Sequence, residues 1–161
     1  MKIHIVTDSA ARYSNTRIMQ QFPITTVPNT IRIGQESYRE DVDMDAEELL
    51  KLMSSPSQTL MVEPPSIEDY VEIYGRLSHV CDHIISIHPS RELSQSWHNA
   101  RRAATQVSGS VDVAVIDSRS ICAGQGMLLR VAGQAILDGE DFETIVKKTR
   151  SAVERLYAVY Y

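Results

Sequence analysis

Three observations predict an α/β fold with a mostly parallel sheet and helices on both faces. Short β-branched apolar runs, Ile3–Thr7, Ile84–Ile87 and Val113–Ile116, each end in a polar turn. Long segments with helical periodicity follow the last two. Strands that alternate with helices need crossover connections, which favour parallel pairing in a sheet buried on both sides. The chain has 161 residues, of which 43% are hydrophobic. That suits one domain with a proper core, and residues 1–161 are read as a single domain.

The elements follow in order. Ile3–Thr7 is a buried strand closed by Asp8-Ser9. A short helix around Thr16–Gln21 precedes a second strand, Ile24–Val27. Thr30–Ile33 and Ser37–Tyr38 form a hairpin turned at Gly34-Gln35. Asp45 caps a helix, with Glu48 at its third position completing a capping box. Leu49, Leu50, Leu52 and Met53 supply that helix's apolar face, and Ser54–Gln58 breaks it. Pro64-Pro65 is a second breaker, after which Ser66 and Asp69 repeat the capping pattern. Tyr70, Ile73, Tyr74 and Leu77 share one side of the helix that follows. Strand Ile84–Ile87 precedes helix Leu93–Gln106, and strand Val113–Ile116 precedes helix Cys122–Leu137. Asp141 caps a helix through about Arg155. Leu156–Tyr161 reads as a last, apolar strand suited to pairing with a second body, such as another copy of the chain.

Composition excludes several functions. The formal charge of −5 argues against a nucleic-acid binder and against docking on an anionic membrane. No run approaches the roughly 20 apolar residues of a membrane span, and no signal peptide is visible, so a cytoplasmic protein is expected. Cys81 and Cys122 are read as buried free thiols. None of the five histidines has convincing metal spacing, so no metal or cofactor is expected. Gly124-Gln125-Gly126 only partly matches a dinucleotide fingerprint, because Leu129 stands where the third glycine belongs. Small residues that let a helix approach the sheet explain it better. Asp8 lacks the second carboxylate that phosphotransfer needs, since Ala10 occupies that place. No nucleophile–base pair is identifiable, and no catalytic residue is assigned.

The richest segment is 86–100. An apolar strand runs into a hydroxyl-rich turn, where Ser90, Ser94 and Ser96 gather at a helix start. Unpaired amides and the helix dipole favour an anionic head group there. Thr7-Asp8-Ser9, His88-Pro89-Ser90 and Asp117-Ser118 all end strands at one sheet edge, where ligands of parallel sheets bind. Ser9 and His88 therefore join the candidates, with His88 either a ligand contact or a structural hydrogen-bonding group. Trp97 is read as core or pocket wall.

The order of these blocks resembles the DegV family, which includes the fatty-acid-binding subunits of bacterial fatty acid kinase. The matching segments are Ile3-His4-Ile5-Val6-Thr7-Asp8-Ser9, Val27-Pro28 through Ile33-Gly34 followed by Glu36-Ser37-Tyr38-Arg39 and Asp41-Val42-Asp43, Ser86-Ile87-His88 with Ser90, Leu93-Ser94 and Ala100, and Val115-Ile116-Asp117-Ser118 with Gly124-Gln125-Gly126. The resemblance covers nearly the whole chain and implies the family's N-terminal, three-layer domain. It implies a non-enzymatic carrier of a fatty acid or similar acyl lipid. The tail would be buried, the carboxylate held by hydroxyls, and a fatty-acid-kinase-type protein would be the partner. Ser94 stands at the position of a carboxylate-binding serine, and Ser96 stands in for the family's threonine. Three departures accompany this. Val62 replaces a hydroxyl donor with Glu63 beside it. Gln95 replaces a glycine. The family's second domain is missing. They motivate the alternative of a divergent interaction module, without lipid, completed by self-association or a partner chain.

Overall fold

A computed structural model describes residues 1–13, 15–53 and 59–157. The main sheet has four parallel strands in the order β2-β1-β6-β7, where β1 is Ile3–Asp8, β2 Ile24–Val27, β6 His83–His88 and β7 Asp112–Asp117. A second, antiparallel sheet has the order β4-β3-β5, with β3 Thr30–Ile33, β4 Glu36–Arg39 and β5 Leu60–Glu63. The helices are α1 Thr16–Met19, α2 Ala46–Met53, α3 Ile67–Leu77, α4 Ser96–Gln106, α5 Ala123–Leu137 and α6 Phe142–Val153.

Strand alternation builds the layers. Ile3, Ile5, Ile85 and Ile87 point to one face, under Leu128 and Leu129 of α5 and Ile145 of α6. Val6 and Ile84 point to the other, against Tyr70 and Tyr74 of α3 and Ala100 and Ala103 of α4. By the same period, Ser86 and His88 face α3 and α4, whereas Thr7 faces α5. The glycines of α5 serve close approach. A Cβ on Gly126 would lie 2.1 Å from the Arg12 carbonyl oxygen, and one on Gly133 would lie 2.3 Å from the Phe22 ring.

Caps set the helix starts. Ser66 Oγ accepts from the Asp69 amide at 3.1 Å while the Ser66 amide donates to Asp69 Oδ2 at 2.7 Å. Asp45 Oδ1 accepts from the Glu47 and Glu48 amides, both at 2.9 Å. Asp141 caps α6 through the Thr144 amide.

Six expectations need correction or fall outside the described residues. Strand β5 is absent from the sequence reading; its four residues have no period of their own and become a strand by pairing with β3. Helix α4 begins at Ser96 rather than Leu93, because residues 91–93 close a turn in which the Leu93 amide donates to Ser90 O. Leu50 is 63% exposed, whereas Leu49 and Leu52 of its helix pack on Ile31, Ile33 and Met44. Cys122 is exposed, since it sits at the N-cap of α5 with φ 54°. The expected breaker at 54–58 and most of the expected last strand (158–161) lie outside the described residues, and Leu156 and Tyr157 are not in a strand.

Candidate functional site

Between β1 and β6 the strand order reverses, so the chain leaves the two carboxyl ends in opposite directions. Such a divergence opens a crevice in parallel α/β sheets. A cleft of about 480 Å³ lies there. Its floor comes from the segments after β1 (Ala10, Arg12), β6 (Pro89, Leu93, Ser94, Gln95) and β7 (Ile121, Cys122). The small sheet supplies the wall, through Asn29, Glu40, Val62 and Pro64.

Ser94 is half-buried in this cleft. Its Oγ accepts from the Ser96 amide at 3.2 Å, which leaves its own O–H to donate outward. Gln95, the N-cap of α4, makes no side-chain capping bond. Val62 also lines the cleft, and Glu63 instead pairs with Arg32 at 3.0 Å. At the rim, Arg12 meets Glu40 at 2.6 Å and Asp41 at 3.1 Å. Ser9 lies one layer behind, donating to Glu40 Oε2 at 2.6 Å and accepting from the Asn29 amide at 2.8 Å.

Ser90, Ser96 and His88 are buried and do not line the cleft. Ser90 Oγ accepts from the Glu92 amide at 3.3 Å. Ser96 sits beside the Tyr70 hydroxyl, with no partner in hydrogen-bond geometry. His88 is the centre of a buried chain. Its Nδ1 lies 3.0 Å from Asp8 Oδ2 and 3.2 Å from the Tyr70 hydroxyl, and its Nε2 lies 2.7 Å from Ser86 Oγ. Ser86 Oγ is in turn 2.7 Å from the Tyr74 hydroxyl. With Asp8 as acceptor, Nδ1–H donates to it. Nε2 then accepts from Ser86, and Ser86 from Tyr74. Burial raises the pKa of the Tyr70 hydroxyl well above its ordinary value, and the Asp8 carboxylate adds to the shift. Burial likewise raises Tyr74. Both phenols therefore remain protonated. On the opposite face, Gln125 Nε2 donates to Thr7 Oγ1 at 2.9 Å and lies 3.3 Å from Asp8 Oδ1.

The order Ser86–His88–Asp8 matches the hydrogen-bond order of a hydrolytic triad. Ser86 is nevertheless fully buried, bonded on two sides and remote from the cleft lining. The chain of bonds ties β1, β6 and α3 together. Among the described residues no group of three or more His, Cys, Asp or Glu could hold a metal ion, and no helix is long and apolar enough to cross a membrane.

Sequence reasoning did not reach Arg12, Asn29 or Glu40. They come from three separate connections and carry no local pattern. Tyr70 and Tyr74 were legible only as an apolar stripe, and Gln125 only as part of a weak glycine motif.

Fold and cleft define a three-layer α/β domain with a cleft at the carboxyl edge of a parallel sheet. The chain belongs to the DegV family, whose profile, described as that of an uncharacterised protein family, matches residues 2–161. It is 30% identical over 164 aligned residues to a DegV domain-containing protein of Clostridium perfringens, covering 98% of this chain and 57% of that one. The crystal structure of DegV from Bacillus subtilis, described as a fatty acid binding protein, superposes with TM-score 0.88 at 28% identity over 96% of this chain and 54% of that one. A DegV family protein from Eubacterium eligens, loaded with heptadecanoic acid, shares the fold with TM-score 0.80 at 23% identity, covering 94% of this chain and 54% of that one. The chain spans a little over half the length of the curated relatives it matches.

Proposed function

We propose that this domain binds a fatty acid or similar acyl anion without transforming it. The observation that carries the reading is the cleft itself. Ser94 and the start of α4 form a polar end, beside the apolar side chains of Val62, Pro64, Pro89, Leu93 and Ile121. A carboxylate at that end accepts the Ser94 O–H and gains from the helix dipole. Each methylene taken out of water along the walls contributes about 0.8 kcal/mol. The DegV proteins of B. subtilis and E. eligens, described as fatty acid binding or loaded, support the assignment.

Ser94 is assigned the direct contact. Ser9, His88, Ser90 and Ser96 are assigned positioning roles, holding Glu40, β1, β6 and the α4 start around it. The cleft is open: Leu93 is 66% exposed and Val62 55%. Such a rim is a surface for a covering body, and a fatty-acid-kinase-type partner that acts on the bound carboxylate fits it. Self-association through the C-terminal segment is the second candidate, motivated by its apolar residues 156–161. Two free cysteines, one exposed, fit the reducing cytoplasm.

Calorimetric titration with palmitate and with hexanoate tests this. The expected result is saturable palmitate binding that weakens about tenfold or more in Ser94→Ala, and much weaker hexanoate binding. Native mass spectrometry of the purified protein should show a retained acyl chain. A protein that is always empty and takes up no palmitate would overturn the reading.

A further inference from the structure

The loop that lines the acyl cleft also contributes to a second pocket, of about 250 Å³, at the carboxyl end of the edge strand β7. Arg91, Trp97, Asp117, Arg119, Arg150 and Glu154 supply its polar groups. We propose that this pocket binds a phosphate group, carried as the free ion or at the end of a nucleotide.

The pocket has more donors than acceptors. Arg119 is paired, meeting Glu154 at 2.8 Å. Arg91 Nε stays 3.6 Å from Asp117 Oδ2, beyond hydrogen-bond reach. Arg150 has no ion pair among the described residues. The Trp97 indole Nε1 is buried and without a hydrogen-bond partner. Three guanidiniums against two carboxylates leave one positive charge in excess. A tetrahedral dianion answers this composition better than a fatty acid carboxylate does. It offers several acceptor oxygens to forked donors on more than one side. The Arg91 guanidinium also lies 5.8 Å from the Trp97 ring centre, which keeps it over the pocket wall. Two neighbouring sites for two different anions thus share one loop. The phosphate site stands on its own residues and does not depend on lipid binding.

Trp97 is the sole tryptophan, so intrinsic fluorescence reads this pocket directly. The protein is titrated with sodium phosphate, with ATP, and with sodium chloride at matched ionic strength and pH. A saturable change with phosphate or ATP that chloride does not reproduce is expected. It should weaken about tenfold or more in Arg150→Gln and in Arg91→Gln, and less in Arg150→Lys, which keeps charge without the fork. Tighter binding of ATP than of phosphate identifies a nucleotide, and equal binding the free ion. Arg91 and Arg150 are exposed, so both variants should fold, and unchanged melting curves check this. If phosphate and ATP act only as chloride does, or if Arg150→Gln titrates like wild type, the proposal fails. Ser94→Ala, which weakens palmitate binding, should leave the phosphate titration unaltered.

Discussion

Val62→Thr should strengthen acyl binding. Val62 lines the same cleft as Ser94, from β5, and is paired in register with Ile31 of β3. It is 55% exposed, so the new hydroxyl is solvated in the empty protein and costs little. Threonine suits a strand as well as valine does, and backbone pairing is unaffected. In the complex the hydroxyl donates to the carboxylate. A hydrogen bond to a charged group contributes about 1.5–3 kcal/mol, so Kd should fall roughly 10- to 150-fold. Met61→Thr is the matched control. It adds the same group one residue earlier, on a side chain that is exposed but does not line the cleft. The assay is competition against a fluorescent fatty acid at fixed pH and salt. An unchanged Kd in Val62→Thr, or one equal to that of Met61→Thr, would refute the placement of the head group between Ser94 and β5.

Other expectations concern the frame around the cleft. Gly126→Ala drives a Cβ against the Arg12 carbonyl and should destabilise by about 1–2 kcal/mol net of its helix-propensity gain, whereas Gly75→Ala on α3, with open space around it, should stabilise by about 0.5–1 kcal/mol; urea unfolding measures both. His88→Ala leaves the buried Asp8 carboxylate without its main partner and should cost about 3–5 kcal/mol, seen as a Tm fall of roughly 10 °C or more by circular dichroism. The Thr144 amide, aided by its hydroxyl, holds the Asp141 carboxyl below the usual carboxylate range. A folded pKa lowered in this way adds stability that is present above the unfolded value of about 3.9 and lost as pH falls through the folded value. The Tm gap between wild type and Asp141→Ala should accordingly be full near neutral pH and close in acid.

Much of this architecture could be read from residue order. The β-branched apolar runs Ile3–Thr7 and Ile84–Ile87, and the caps at Asp45, Ser66 and Asp141, are local signals. They act over three or four residues, whatever the rest of the chain does. Where a signal was missing, a distant partner was responsible. Leu60–Glu63 has no strand character until β3 lies beside it. Cys122 reads as a buried thiol until the turn before α5 lifts it to the cleft.

The same division holds at the site. That hydroxyls gather where β6 gives way to α4 is a property of the sequence, because Ser90, Ser94 and Ser96 are neighbours in the chain. Which of them meets a ligand is not, since two residues along a helix start separate the half-exposed Ser94 from the sealed Ser96. His88 could be placed at a strand end, but its bonds to Asp8, Ser86 and Tyr70 come from three elements up to 80 residues away in the chain. Periodicity and capping determine elements because their physics is short-ranged. A cleft and its hydrogen bonds are made by side chains that only packing brings together, so the tertiary structure alone decided them.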